Sequence, residues 1–183
     1  LLLRWNARIN LTAIRHPEQI VTRHFGESFF AARHLFPAGA RTEHSSAQSA
    51  IDLGSGAGFP GMPIKIWAPQ ITMTLIESNQ KKATFLREVI RALRLTNINV
   101  FSGRAEHYSA ASTQVVTLRA VDRFESIFPT ATNLVAPHGR LAVLISEAQF
   151  ATVQTLPPSF RWTLPIPIPL SSSRILAIGI HEP

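Results

Sequence analysis

The sequence of 183 residues contains no cysteine, which excludes disulfides, zinc–thiolate sites and cysteine nucleophiles. Long apolar runs are also missing, because none approaches the roughly 18 residues that a membrane-spanning helix needs. No secretory signal pattern is present either. The length suits one domain with a substantial core. We therefore expect a soluble, cytoplasmic protein that does not bind membranes.

Lysine is scarce, since Lys65, Lys81 and Lys82 are the only lysines in the chain. Arginine therefore supplies most of the 18 basic residues, which outnumber 11 acidic ones and give a net charge of +7. Arginine binds phosphate through a planar fork of N–H donors, so nucleic acid is a candidate partner. A proteome that uses arginine for lysine would give the same composition, so charge leaves the partner open. The seven histidines lack metal-ligand spacing, and we expect no metal site.

A glycine-rich stretch at residues 50–61 is the strongest local signal. A short apolar run that ends at Asp52 predicts a buried parallel strand, and the glycines after it allow a sharp turn close to a ligand. Pro60, Pro63 and the apolar residues 64–67 predict a helix that begins directly after the turn. A strand, a glycine loop and a helix in this order are typical of nucleotide-binding sites.

The remainder of the chain alternates between strand and helix patterns. Strands are predicted at 71–76, 98–101, 115–118, 140–145, 160–168 and 174–180, helices at 80–93, 124–134 and 147–154, a loop at 39–49 and a turn at 137–139. Three prolines in 160–168 lack the N–H of a central ladder and predict an edge strand there. Repeated βα units predict an α/β fold whose parallel strands carry ligands at their carboxyl ends.

The first residues predict helices that cover the sheet. Residues 1–9 have the pattern of the end of an amphipathic helix whose beginning is missing, and a second helix is predicted from Pro17 through Phe30. We expect one domain, with a helical cap at 1–36 and a Rossmann-like core at 49–183.

The glycine loop matches two cofactor patterns. Gly56-x-Gly58-x-x-Gly61 fits the dinucleotide fingerprint, so an NAD-dependent oxidoreductase is one alternative. However, Asp52 before the loop would repel a pyrophosphate, and an acidic residue ahead of glycines suits the cationic, phosphate-free S-adenosylmethionine (SAM). Its carboxylate could hold the methionine ammonium directly or through water. Glu77, at the end of the next strand, could accept ribose hydroxyls in either case.

With these motifs, the chain resembles the bacterial 16S ribosomal RNA guanine N7-methyltransferases, the glucose-inhibited division protein B family. The resemblance extends from residue 3 to Arg174. Its most specific segments are 23–24, 52–61, 81–86, 103–106 and 119–121, and the Gly-Phe-Pro-Gly end of 52–61 separates this family from other methyltransferases.

The resemblance implies a Rossmann-like class I SAM-dependent methyltransferase with a mostly parallel seven-stranded sheet, acting as a monomer on 16S rRNA or the small ribosomal subunit. The cofactor positions it implies are Asp52, Gly54, Ser55, Gly56, Gly58, Phe59, Glu77, Ser78, Ala105, Glu106 and Arg119. The catalytic positions are Arg104, Arg119 and Arg174, and the RNA-binding positions are Arg8, Arg23, His24 and Arg123.

Guanine N7 carries no proton, so the implied reaction needs no general base and rests on positioning. Arginine binds guanine O6, but a donor at N7 would block the methyl acceptor. We therefore expect Arg119 to contact O6 or a neighbouring phosphate.

Some positions depart from the family pattern. Glu27 and Glu77 replace aspartates, and Ile145-Ser146 replaces a Lys-Gly pair, a loss for which Arg123 or Arg140 could compensate. A SAM- or RNA-binding protein with impaired turnover is therefore a second alternative.

Overall fold

The computed structural model describes residues 1–37, 48–109, 112–119, 124–155 and 159–182. The strands are β1 (Ser49–Leu53), β2 (Thr72–Glu77), β3 (Ile98–Ser102), β4 (Thr113–Arg119), β5 (Val135–Ser146), β6 (Phe160–Trp162), β7 (Ile166–Pro167) and β8 (Arg174–His181). The helices are α1 (Leu2–Ile9), α2 (Pro17–Gln19), α3 (Glu27–Leu35), α4 (Gly61–Trp67), α5 (Gln80–Ala92), α6 (Phe124–Asn133) and α7 (Glu147–Gln154). A π-helix (Ile20–Gly26) joins α2 to α3, and a 3-10 turn covers Ala105–His107.

The strands form one mixed sheet in the order β3-β2-β1-β4-β5-β8-β6. The first five in this order are parallel, whereas β8 runs antiparallel to β5. Strand β1 lies between β2 and β4, where the chain reverses its direction of winding across the sheet. Ligands of open α/β sheets bind at such a reversal, beyond the carboxyl ends of the strands. The predicted α/β architecture is confirmed, and the glycine loop after β1 lies at this edge.

Alternating strand residues build a core on each face of the sheet. Ala50 and Met73 belong to one cluster, which also contains side chains of α3, α4 and α5. Ile51 and Ile76 belong to the other, which contains side chains of α6 and α7. This period of two is the one that a strand buried on both faces requires.

The helices before β1 pack on the first of these faces. Trp5 of α1 meets Phe85 of α5 edge-on, with ring centroids 5.7 Å apart. Trp67 at the end of α4 donates its indole N–H to the carbonyl of Phe36 at 2.8 Å. The predicted helix from Pro17 is continuous through its π-helical part and ends at Leu35.

Two local predictions need correction. The predicted turn at 137–139 lies inside β5, because Val135 pairs with Thr113 and pairing resumes at Arg140 after an irregular excursion. The predicted strand 160–168 is split into β6 and β7, which both pair with β8, so the sheet of the described residues has seven strands in its main order and β7 beside β8. Proline lacks the ladder N–H, which explains the break. Most of the loop predicted at 39–49 lies outside the described residues.

Candidate functional site

The glycine loop is held in place by hydrogen bonds to the end of β2. The amides of Gly54 and Ser55 both donate to the carbonyl of Ile76, at 2.9 and 3.0 Å. Gly54, Gly56 and Gly58 have φ angles of 70°, 54° and 89°, which lie in the left-handed region that side chains rarely adopt. The loop therefore presents bare backbone at the carboxyl edge of the sheet.

Asp52 lies behind this loop and not in front of it. The side chain is fully buried, where one carboxylate oxygen accepts from the Gly61 amide at 3.1 Å and the other from Thr117 Oγ1 at 2.7 Å. In this conformation the Asp52 carboxylate has no exposed surface, and it holds the loop in place from behind. Its predicted part in binding the methionine ammonium, directly or through water, stays a prediction.

Glu77 and the loop form one wall of a cavity of about 640 Å³, a size within the range of about 300–1,000 Å³ for small-molecule sites. The carboxylate oxygens of Glu77 accept from the amides of Gly56, at 2.8 Å, and Asn79, at 2.7 Å. The cavity is lined by Asn10, Leu11, Thr12, Ala13, Arg15, His24, Gly54, Ser55, Gly56, Ala57, Phe59, Glu77, Lys82 and Arg119. Six of the predicted cofactor residues thus meet here.

A second cavity of about 290 Å³ adjoins the first at Gly54, which lines both. Ser78, Arg104, Ala105 and Glu106 line it together with residues of β2 and α6. Ser78, predicted near the ribose, and Ala105 and Glu106, predicted beside the adenine, therefore line one cavity, whereas Glu77 lines the first. Arg104 lines this second cavity, Arg119 lines the first, and Arg174 lines neither, so the predicted catalytic arginines are not brought together in one cavity.

The opposite wall of the first cavity is the segment after α1, which the sequence did not mark as functional. Asn6 is buried and pairs with Thr12 twice, donating to its carbonyl at 3.0 Å and accepting from its amide at 2.9 Å. Thr12 Oγ1 lies 2.7 Å from His24 Nε2, and the His24 ring stacks on Phe59 with centroids 4.9 Å apart. This chain of contacts connects α1 to the glycine loop.

The sequence does contain a pattern that indicates a structural role for Asn6. Leu2, Trp5 and Ile9 form the inward face of α1 and pack on the core, and Asn6 lies among them at helical spacing. A polar residue on an apolar face needs a hydrogen-bond partner, which in this fold is the backbone of Thr12.

Glu27 joins two of the predicted catalytic arginines. Its Oε2 accepts from Arg119 Nη2 at 3.0 Å and from Arg174 Nε at 3.1 Å, and its side chain is only 4% exposed. Arg174 also donates to the carbonyl of Leu144 at 3.2 Å and does not line the cavity. Glu27 and the end of β5 thus hold the Arg174 guanidinium, and its predicted position facing the RNA or the reaction centre stays a prediction.

Three further predicted residues lie apart from the two cavities. Gly58 is buried in the loop, and Arg23 is half-exposed on the π-helix. Arg8 lines a separate hollow on α1 with Arg4, Trp5 and Glu88. Arg123 lies outside the described residues.

The Lys-Gly replacement has a structural explanation. Ser146 caps α7 in a reciprocal pair with Gln149, and Ile145 is buried. Arg140 cannot compensate, since it lies at the opposite end of the paired part of β5, against Phe36. Arg174 pairs with Ser146 in the sheet, so it places a cation near the end of β5.

Burial changes the proton affinity of two groups around Phe59 in opposite directions. Burial raises the pKa of Asp52 from 3.8 to about 6, against the effects of its hydrogen bonds and of Arg119. Burial lowers the pKa of His24 from 6.5 to about 4, and the charges of Arg119, Arg23 and Arg174 lower it further. His24 is thus neutral at pH 7.

These pKa changes predict opposite pH dependences for two variants. The contribution of Asp52 to stability is complete below pH 3.8 and is lost as the pH rises through about 6, because the folded state binds the proton more tightly. The contribution of His24 is complete above pH 6.5 and is lost as the pH falls through about 4. Relative to the parent, Asp52→Asn should therefore gain stability as the pH rises from about 4 to 6, whereas His24→Gln should lose it. Urea unfolding across this range measures both, and slopes of equal sign would contradict the assignment.

The sequence model of the family described as GidB, rRNA small subunit methyltransferase G, matches residues 1–161. The chain belongs to this methyltransferase G family. Its membership agrees with the resemblance read from the glycine loop, and the overlapping dinucleotide fingerprint does not indicate an oxidoreductase.

A curated relative agrees with this assignment, and two solved structures share the fold. A ribosomal RNA small subunit methyltransferase G from Xylella fastidiosa strain 9a5c is 38% identical over 97% of this chain and 81% of its own length. A ribosomal protein L11 methylase from Lactobacillus delbrueckii has the same fold, with a TM-score of 0.69 and 11% identity over 85% of this chain and 77% of its own. TYW2 from P. horikoshii, solved with MeSAdo, has a TM-score of 0.64 and 13% identity over 75% of this chain and 58% of its own. These two structures show the fold of this methyltransferase G family member.

Two further observations concern only the part of the chain that the structure describes. No helix there has the length and apolar character to cross a lipid bilayer. No three acidic or histidine side chains in that part are grouped so that they could bind a metal ion.

Proposed function

We propose that this protein transfers a methyl group from SAM to N7 of a guanine in 16S ribosomal RNA. The observation that carries the proposal is the cavity itself, in a chain of the methyltransferase G family. It combines the glycine loop and Glu77 on one wall with Arg119 and the neutral His24 on the other. The acceptor is rRNA, free or within the small subunit, which places the activity in the cytoplasm, and we propose that the protein acts as a monomer.

The residues at the carboxyl edge fit SAM. When bound, this cofactor supplies an electrophilic methyl group on a positively charged sulfur. The Ala57 amide has no hydrogen-bond partner within the described residues, so it can donate to the methionine carboxylate. Glu77 is already oriented by two backbone amides, and its remaining lone pairs can accept from ribose hydroxyls. We assign the adenine to the cavity of Ser78, Ala105 and Glu106.

The acceptor side requires positioning and no proton transfer. Guanine N7 carries a lone pair and no proton, so attack on the methyl carbon needs no base. Of the titratable groups beside the cavity, His24 is neutral with a pKa of about 4, and Asp52 is fully buried. The protein therefore acts by orienting the guanine and the methyl donor. The stacked rings of Phe59 and His24 provide an aromatic surface in the cavity, and the Arg119 guanidinium lies over the Phe59 ring.

Transfer of labelled methyl from SAM to 16S rRNA that lacks the modification tests the proposal. We expect incorporation into the rRNA and tighter binding of SAM than of NAD by calorimetry. The alternative, a SAM- or RNA-binding protein with impaired turnover, predicts SAM binding without incorporation. That alternative is motivated in part by Ile145-Ser146, and Arg174 is the cation that pairs with Ser146 in the sheet.

A further inference from the structure

Three arginines surround a single carboxylate at the edge of the first cavity. Arg119 Nη2 and Arg174 Nε lie 3.0 and 3.1 Å from the same oxygen of Glu27, and Arg23 Nε lies 4.0 Å from the other oxygen. These residues come from the π-helix, α3, β4 and β8, and we call them the arginine cluster. Arg119 alone among the three arginines lines the cavity, which makes the cluster continuous with the site.

The protein neutralises this cluster only in part. Burial lowers the pKa of Arg119, Glu27 raises it and Arg174 lowers it again, as expected for two cations that share one anion. Asp52 is the other carboxylate that acts on Arg119, but it makes no ion pair with it. His24 is neutral at pH 7 because its pKa is about 4. The described residues therefore leave a positive excess around Glu27.

The donors of the cluster are not saturated either. Arg119 uses only Nη2, which bonds Glu27 and the carbonyl of Arg23, and its Nε has no partner although its side chain is 9% exposed. The Arg23 side chain is 55% exposed, and its only ion-pair contact within the described ranges is the 4.0 Å approach to Glu27. A buried cation with unpaired donors is costly unless an anion completes it.

We propose that the arginine cluster is the binding site for one backbone phosphate of the acceptor RNA, at or next to the methylated nucleotide. The assignment to RNA rests on the proposed function, whereas the preference for a phosphate rests on the cluster. A phosphodiester supplies one negative charge and several acceptor oxygens, which match the forked donors of neighbouring guanidinium groups. Glu27 orients the guanidinium groups of Arg119 and Arg174, which are largely buried. Arg23 is the exposed arginine that reaches the phosphate from the surface. Arg119 then contacts a phosphate and not guanine O6.

The test is the salt dependence of 16S rRNA binding, measured without SAM by filter binding. Each phosphate contact contributes about 0.7–0.9 to the slope of log K against log salt. Arg23→Gln should lower that slope by about this amount and weaken binding at low salt. The matched control is Arg161→Gln, which removes the same charge from a surface position on β6. The Arg161 side chain is 60% exposed, against 55% for Arg23, and it pairs with Glu182 just after β8. The control should leave the slope unchanged.

The proposal would be overturned if the slope of log K against log salt were the same for Arg23→Gln and the parent. It would also be overturned if that slope fell equally in Arg23→Gln and Arg161→Gln. A second arm uses inorganic phosphate against chloride at equal ionic strength, with thermal unfolding as the measurement. Stabilisation of the parent but not of Arg23→Gln, with an unchanged RNA slope, would assign the cluster to free phosphate and overturn its assignment to RNA. Methyl transfer is measured in a separate assay, so an altered slope of RNA binding without methyl transfer would refute only the proposed function. Transfer with an unaltered slope would refute only the phosphate site.

Discussion

Replacement of Glu27 by glutamine is expected to lower the free energy of unfolding by about 3–5 kcal/mol, the usual result of removing one partner of a buried ion pair. Arg119 and Arg174 would then share a neutral amide while both remain largely buried. The two guanidinium groups would still repel each other, and neither would keep an ion pair with a carboxylate among the described residues. Urea unfolding measures the change as a lower urea concentration at the midpoint, while the dependence of the unfolding free energy on urea concentration stays the same.

Glu88→Gln is the matched control for this experiment. Glu88 pairs with Arg91 at 2.8 Å on the surface of α5, where the arginine side chain is 78% exposed. Exposed pairs contribute about 0–1 kcal/mol, so the control should unfold close to the parent. If Glu27→Gln were as stable as Glu88→Gln, Glu27 would not be the centre of a buried cluster, and the partial neutralisation on which the phosphate site depends would be wrong.

Gly61→Ala is expected to destabilise the protein by about 1–3 kcal/mol, as overpacking commonly does, and to weaken SAM binding. A Cβ at this position would lie 2.5 Å from Leu75 Cδ2 and 2.7 Å from Asp52 Oδ2. Because Asp52 and Leu75 are fully buried in the sheet, the start of α4 must move instead. That movement breaks the bond from the Gly61 amide to Asp52 and displaces the loop. Calorimetry with SAM and thermal unfolding measure the two effects.

Gly26→Ala controls for the general effect of adding a methyl group. Its Cβ would meet only the carbonyl oxygen of Val21, at an ordinary 3.5 Å. Within a helix, alanine is more favourable than glycine by about 0.5–1 kcal/mol, so this variant should be as stable as the parent or more so. SAM affinity in Gly61→Ala equal to that in Gly26→Ala would show that Asp52 and Gly61 do not hold the loop for the cofactor.

The sequence allowed the fold to be predicted because its signals are local. The run before Asp52, the glycines and the prolines after them are consecutive, and each predicts its own strand, turn or helix start. The β-strand and helix patterns after Glu77 are equally local, and their bounds differ from the structure by few residues. The excursion inside β5 and the division of β6 from β7 depend on pairing with β4 and β8, which no single segment reveals.

The site was predictable only where it coincides with those local signals. Gly54, Gly56, Phe59 and Glu77 line the first cavity because the residues that follow neighbouring parallel strands meet at one edge. Asp52 was placed correctly along the chain, but α4 returns so closely that the Gly61 amide takes up its carboxylate.

The contacts that complete the site join distant parts of the chain. Glu27 bonds Arg119 across 92 residues and Arg174 across 147. The sequence shows the excess of arginine but not which carboxylate holds it. The sequence likewise does not show that Thr12 lies beside the glycine loop. Thr12 is connected to that loop through His24, which contacts Thr12 and stacks on Phe59.

The most direct test of the central claim is to locate the methyl group on 16S rRNA after incubation of unmodified rRNA or small subunits with the protein and SAM. N7-methylguanine is positively charged and makes the RNA chain cleavable after mild reduction and aniline treatment, so sequencing of the fragments identifies its position. We expect cleavage at a guanine that depends on both protein and SAM. SAM-dependent labelling without any cleavable guanine, or no labelling at all, would contradict the assignment of the site to guanine N7.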